Sequence, residues 1–244
     1  MLVSEFFIVI FYGVILIGIS MTLDIVWAQT IPFRLLYYCI RAPGVIVHEC
    51  THIFGCLIMG AKIQKVVLFS ESGGSVSYTR PVIPYFGDVV ISMAPLFGIS
   101  LILVGITWVF QTYSGCYFPS FPQYLDTVNT VQELFSDLIS LFYQNLFVHF
   151  NIWFLFYLYA VISLAVSIAP SGQDIKNSAI GLIIILIVGI LILWSNIPFV
   201  VNALLVVTRI VGIGITLGFV FGLIAFIVSI PLIIIYIKNK SAIQ

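Results

Sequence analysis

The chain has 244 residues, 62% hydrophobic and only 7% charged, with a formal net charge of zero and a mean hydropathy of +1.23. A soluble domain carries roughly 25% charged residues, so nine basic and nine acidic side chains cannot cover a soluble surface. The composition excludes a soluble globular domain, and the lack of any basic run or stripe argues against a nucleic-acid partner.

The N-terminal run "MLVSEFFIVIFYGVILIGIS" has no basic region of the kind that opens a signal peptide, and carries Glu5 instead, so it reads as a retained first span. A span needs about 20 largely apolar residues. On that measure span 1 covers about 3–27, span 2 about 34–60, span 3 about 84–112, span 4 about 146–169 and span 5 about 178–195. The stretch 198–237 exceeds one upright helix at about 1.5 Å per residue. It reads as one long span that Gly212, Gly214, Gly218 and Gly222 tilt or break.

Two connections carry structure of their own. Residues 61–81, "AKIQKVVLFSESGGSVSYTRP", alternate and are β-branched on both sides of Ser72-Gly73-Gly74, which predicts a β-hairpin. In 113–145 an aromatic, proline-rich run suits the bilayer interface. It leads into an amphipathic helix over about 125–144, with Leu125, Val128, Val131, Leu134, Leu138 and Leu141 at helical spacing and Asp126, Glu133 and Asp137 opposite.

The expected fold class is therefore an all-α polytopic membrane protein. It has about six transmembrane helices, with a small cytoplasmic-side β-hairpin after the second, and 1–244 form a single integral membrane domain. Lys62, Lys65, Arg80, Lys176, Lys238 and Lys240 all fall in loops on one side of a six-span topology, and 113–145 holds no lysine or arginine. That bias places both termini in the cytoplasm, although Arg34 and Arg41 lie toward the outer half. Cys39, Cys50 and Cys56 sit in one predicted helix and Cys116 in a loop, which is not a disulfide framework.

The chemistry concentrates in span 2. His48 and His52 are four residues apart, hence about 40° apart in azimuth and one turn apart in height, where both imidazoles reach one metal. Glu49 projects beside them, placed to hold a water and accept its proton. His-Glu-x-x-His is the pattern of zinc hydrolases, and it occupies two of the chain's three histidines. Ionisable groups at that depth face a cavity or a partner; without a metal they form a polar knot between helices.

A catalytic zinc takes three protein ligands. Asp174, just after the break at Pro170 and Gly172, is the first candidate for the third; its plainer role is to cap span 5. Asp88 is a second candidate on the same side. His149 opens span 4 on the other side, where an interfacial hydrogen bond explains it.

Together these features resemble the site-2 protease family of intramembrane zinc metalloproteases over about 34–180. The resemblance rests on His48, Glu49 and His52 in a membrane helix, on the glycine-containing hairpin, on "MAPLFG" (93–98), which is similar to the family's Ala-Gly-Pro-x-x-Asn segment, and on Asp174 after a proline break. Ala169-Pro170 stands where the family has Asn-Pro, and Gln173-Asp174-Ile175 where it has Leu-Asp-Gly. The resemblance implies a Zn²⁺ endopeptidase that cleaves transmembrane or membrane-associated protein substrates, with His48, His52 and Asp174 as ligands and Glu49 as base. It also implies that Gly74, Ser75, Val76, Ser77 and Tyr78 receive an extended substrate. One rival is a zinc protease of another family with a glutamate ligand, but Glu71 and Glu133 lie outside the predicted spans. A rival of another class is a non-catalytic metal carrier or a scaffold for transmembrane partners, which has no need of Glu49.

Overall fold

A computed structural model describes residues 2–70, 73–123, 125, 127–195 and 197–241. Glu71 and Ser72 of the expected hairpin turn, and Asp126 of the amphipathic segment, lie outside the described residues. The elements run α1 (Leu2–Thr30), α2 (Arg34–Ile58), β1 (Ile63–Val67), β2 (Ser75–Tyr78), α3 (Phe86–Ser114), α4 (Val128–Tyr143), α5 (Ile152–Ala165), α6 (Gly172–Ser195) and α7 (Pro198–Ser241). The protein is thus predominantly helical, with one small antiparallel hairpin.

Four helices, α1, α3, α6 and α7, are long and apolar enough to cross a bilayer. They turn many large apolar side chains outward, among them Val14, Leu101, Ile183, Ile187 and Val206, as a lipid-facing surface requires. Two of the six expected spans differ. Helix α2 is long, but Arg41, His48, Glu49 and His52 interrupt its apolar run. Helix α5 is apolar but has only 14 residues, about 21 Å against a hydrocarbon core of about 30 Å.

The shortening of α5 has local causes. Asn151 caps its start, accepting from Trp153 N (3.0 Å) and donating to Ser114 O (2.8 Å). Residues 144–148 form a π-helical turn that ends at His149. Past the other end of α5, Pro170 cannot continue a helix. Helix α6 begins six residues earlier than expected, at Gly172, because Ser171 and Asp174 cap it. Helix α7 is unbroken over 44 residues. Gly218 and Gly222 do not interrupt it; they let Leu16 of α1 press against its backbone, the close approach that small residues permit between membrane helices.

Helix α7 packs along α1 and against α3 and α5, while α2 packs between α3 and α5, and α6 against α3. The core joins Leu16 and Leu23 of α1, Ile99 and Leu103 of α3, Phe154, Tyr157 and Val161 of α5, and Val220, Phe221 and Ile224 of α7. Leu134, Leu138 and Leu141 fasten α4 to it, and Thr127 with Thr130 forms the capping box that starts α4.

The hairpin pairs Val67 with Ser75, Val66 with Val76, Lys65 with Ser77 and Ile63 with Tyr78, with an irregularity between Ile63 and Lys65. Gly73 has the positive φ (+109°) that the turn needs. Ile63, Val76 and Tyr78 pack on a second apolar cluster of Cys56, Ala61 and Ile91, which seats the hairpin on α2 and α3.

One contact sets how deeply α2 sinks into the bundle. Gly44 N donates to Ser163 Oγ of α5 at 3.1 Å, and a Cβ at Gly44 would collide with the Ser163 backbone carbonyl. Gly44→Ala is therefore expected to force α2 and α5 apart and to cost about 1–3 kcal/mol, the usual range for overpacking. Gly18→Ala, with nothing within 4 Å of the added methyl, is expected to leave the thermal midpoint in detergent unchanged or raised. Melting curves of the two variants check this.

Candidate metal centre

One turn after Gly44, α2 presents His48 to the end of α5, and one turn later His52 to α3. His48 Nδ1 lies 2.6 Å from the backbone oxygen of Ser167, and His52 Nδ1 lies 2.8 Å from that of Ile91. A carbonyl oxygen can only accept, so each Nδ1 carries a proton, and in the neutral imidazole each Nε2 is then left with a lone pair. Those two Nε2 atoms face each other at 3.0 Å. Both histidines are buried, and two such lone pairs at that distance repel unless a metal ion or a proton lies between them.

Asp174 completes the group. Its Oδ2 lies 3.4 Å from His52 Nε2 and 3.8 Å from His48 Nε2. For ligand atoms about 2.0–2.1 Å from one tetrahedral ion, neighbouring ligands are about 3.3–3.4 Å apart. The observed triangle of 3.0, 3.4 and 3.8 Å brackets that value. The donor set of two neutral imidazoles and a carboxylate therefore fits a single metal ion, and the three side chains could hold one.

Asp174 also has the capping role. Ser171 N donates to Asp174 Oδ2 at 2.8 Å, and Asp174 N donates to Ser171 Oγ at 3.2 Å, a reciprocal cap that fixes the carboxylate. Ser171 is thus the cap and Asp174 its partner in the first turn. The turn before it is stapled to α1: Ala169 N donates to Ser20 Oγ (2.9 Å), and Ser20 Oγ donates to Val166 O (3.3 Å). The carbonyl of Ser167 is left for His48, because Pro170 has no N–H and that of Ser171 goes to Asp174.

The buried Glu49 sits under the hairpin. A Cβ at Gly74 would fall on its side chain, so the glycine lets the hairpin backbone close over the carboxylate. The five residues expected to meet substrate divide into three roles. Gly74 touches Glu49, Ser75 and Ser77 are exposed, and Val76 and Tyr78 turn inward to seat the strand.

Asp88 lies in the first turn of α3 and His149 is exposed beyond α4, and neither belongs to the group. Motif reading passes over the residues that orient the ligands: Gly44, Ser20, Ser171, and the carbonyls of Ile91 and Ser167. Backbone acceptors have no side-chain signature, although Gly44 one turn before His48 and Pro95 four residues after Ile91 are visible in hindsight.

Comparison with protein-family models, with curated proteins and with solved structures yields no match to this chain.

Removing the cap should be felt at the metal. Ser171→Ala is expected to cost about 0.5–2 kcal/mol of stability and to weaken divalent-metal binding about tenfold, as loss of a residue supporting a ligand does. Asp88→Asn and His149→Ala are expected to leave divalent-metal affinity unchanged, as measured by competition with a chelator.

Proposed function

We propose that the protein is a zinc-dependent intramembrane endopeptidase of the site-2 type. The supporting observation is the convergence of His48 Nε2, His52 Nε2 and Asp174 Oδ2 on one point, with the buried carboxylate of Glu49 next in sequence to one ligand. A metal holder needs the first three groups; only hydrolysis gives work to the fourth.

His48, His52 and Asp174 hold the ion, kept in place by the Ser167 and Ile91 carbonyls and by the cap on α6. Zinc bound there supplies a Lewis acid and a water acidified to near-neutral pKa. Glu49 accepts a proton from the attacking water at a carboxylate oxygen as the new C–O bond forms. It returns that proton to the amide nitrogen as the C–N bond breaks. Burial of Glu49 beneath Gly74 keeps bulk water from competing for it.

The substrate is a segment of a transmembrane or membrane-associated protein in the lipid bilayer. A helix cannot be cut while its peptide groups are bonded to one another, so the segment unwinds first. Among the described residues the two-stranded sheet leaves one edge of β2 without a strand partner, and addition of the unwound segment to that edge satisfies its backbone. Lys62, Lys65, Arg80 and Lys176 put the hairpin end of the bundle on the cytoplasmic side.

Glu49→Gln is expected to keep Zn²⁺ and to lower cleavage of a membrane-embedded peptide by at least about 100-fold, as loss of a general base does. His48→Ala is expected to lose both, and Asp174→Asn to weaken Zn²⁺ binding. Zinc content by mass spectrometry and a gel assay of cleavage decide. Normal cleavage by the Glu49→Gln protein would sink the mechanism. Stoichiometric Zn²⁺ with no hydrolysis by the wild type would mark a carrier instead.

A further inference from the structure

We infer that Pro95 is a positioning residue for the metal centre: it removes an N–H from α3 and so releases the carbonyl of Ile91 to hold His52. The inference rests on the metal reading above and names a part of the centre outside the ligand set and the base.

In a regular helix the carbonyl of residue 91 accepts from the N–H of residue 95. Pro95 lies inside α3 and has no N–H, and its ring crowds the carbonyl four residues back and tilts it off the helix axis. That carbonyl is Ile91 O, the atom 2.8 Å from His52 Nδ1. Ile91 is fully buried and His52 nearly so, so water does not supply a substitute acceptor. Close approach of the helices makes the bond possible: a Cβ at Gly55, on the turn after His52, would lie 3.1 Å from Ile91 Cα.

The same device recurs at an independent place. Pro43 lies inside α2 and frees the carbonyl of Cys39, and Tyr159 Oη of α5 donates to it at 2.8 Å. In both cases a side chain from a neighbouring helix takes the acceptor that a proline has vacated. At Pro43 the acquired donor joins two helices. At Pro95 it is a metal-site imidazole, and the bond decides which of its nitrogens faces the ion.

An N–H restored at position 95 competes for the Ile91 carbonyl and draws it back toward the helix axis, away from His52 Nδ1, whose ring is then held less firmly. The metal centre weakens although the helix itself gains a hydrogen bond. A merely structural proline predicts no such split.

The test compares full-length wild-type, Pro95→Ala, Pro95→Gly and Pro231→Ala proteins in detergent. Zn²⁺ affinity is read by chelator competition and ligand geometry by the visible absorption of the Co²⁺-loaded forms. Both Pro95 variants are expected to lose about 10–100-fold in Zn²⁺ affinity, the usual effect of losing a ligand's orienting partner, and to show an altered Co²⁺ spectrum. Pro231→Ala makes the same chemical change in α7, which carries no ligand, and is expected to match wild type. Unchanged affinity and spectrum in the Pro95 variants would overturn the inference. A wild type that binds no Zn²⁺ would fail the metal reading itself. A measurement without substitution stands beside these: in Zn²⁺-loaded wild-type protein, nitrogen-edited NMR is expected to show a slowly exchanging proton on His52 Nδ1. A rapidly exchanging one would also overturn it.

Discussion

Two imidazoles and two carboxylates inside an apolar bundle set one condition on everything around them: each buried polar atom must find a partner before the helices can close. Much of the local architecture answers that condition. The Nδ1 atoms take the carbonyls of Ser167 and Ile91, and the Nε2 atoms turn toward each other and toward Asp174. The carboxylate of Asp174 is tied to the start of its own helix. The three ligand atoms converge on one point that could hold a metal ion.

The supply of carbonyl acceptors is itself unusual. A transmembrane helix consumes its carbonyls internally, which is why helices can cross lipid at all. This chain frees them at selected points by proline and by ending a helix early. Pro95 opens α3, the short α5 stops at Ala165, and Pro170 with Ser171 leaves Ser167 O free. The features that make α5 a poor span and α2 a poorly apolar one are therefore the features that build the site. Gly44 and Gly55 then bring α2 close enough to reach both acceptors.

Much of this was legible in the residues. The hairpin about Gly73 and the amphipathic α4 follow from turn chemistry and period, and the placement of α1 and α3 from apolar length. The His-Glu-x-x-His spacing places His48 and His52 together, and the proline break points to Asp174, which joins them in a group that could hold a metal ion. The starts of α5 and α6 differ from the apolar runs, while α6 ends at Ser195 as expected; hydropathy is blind to caps, and Asn151 and the Ser171–Asp174 pair set those two starts by hydrogen bonds. The count of spans suffers for the same reason, since α5 stops 14 residues after it starts. The glycines of α7 were ambiguous because a helix break and a close helix contact ask for the same residue.

The sequence by itself determined that the chain is apolar enough for a membrane and that His48 and His52 share one helix face. Helical periodicity is local and needs no neighbour. Only the tertiary structure decided that Asp174, rather than Asp88 or His149, meets the two histidines, since 122 residues separate it from His52 and only helix packing closes that distance. It alone decided that Gly74 covers Glu49 and that backbone carbonyls orient both rings. Those acceptors belong to every residue alike, and which of them is free depends on how the helices end and cross.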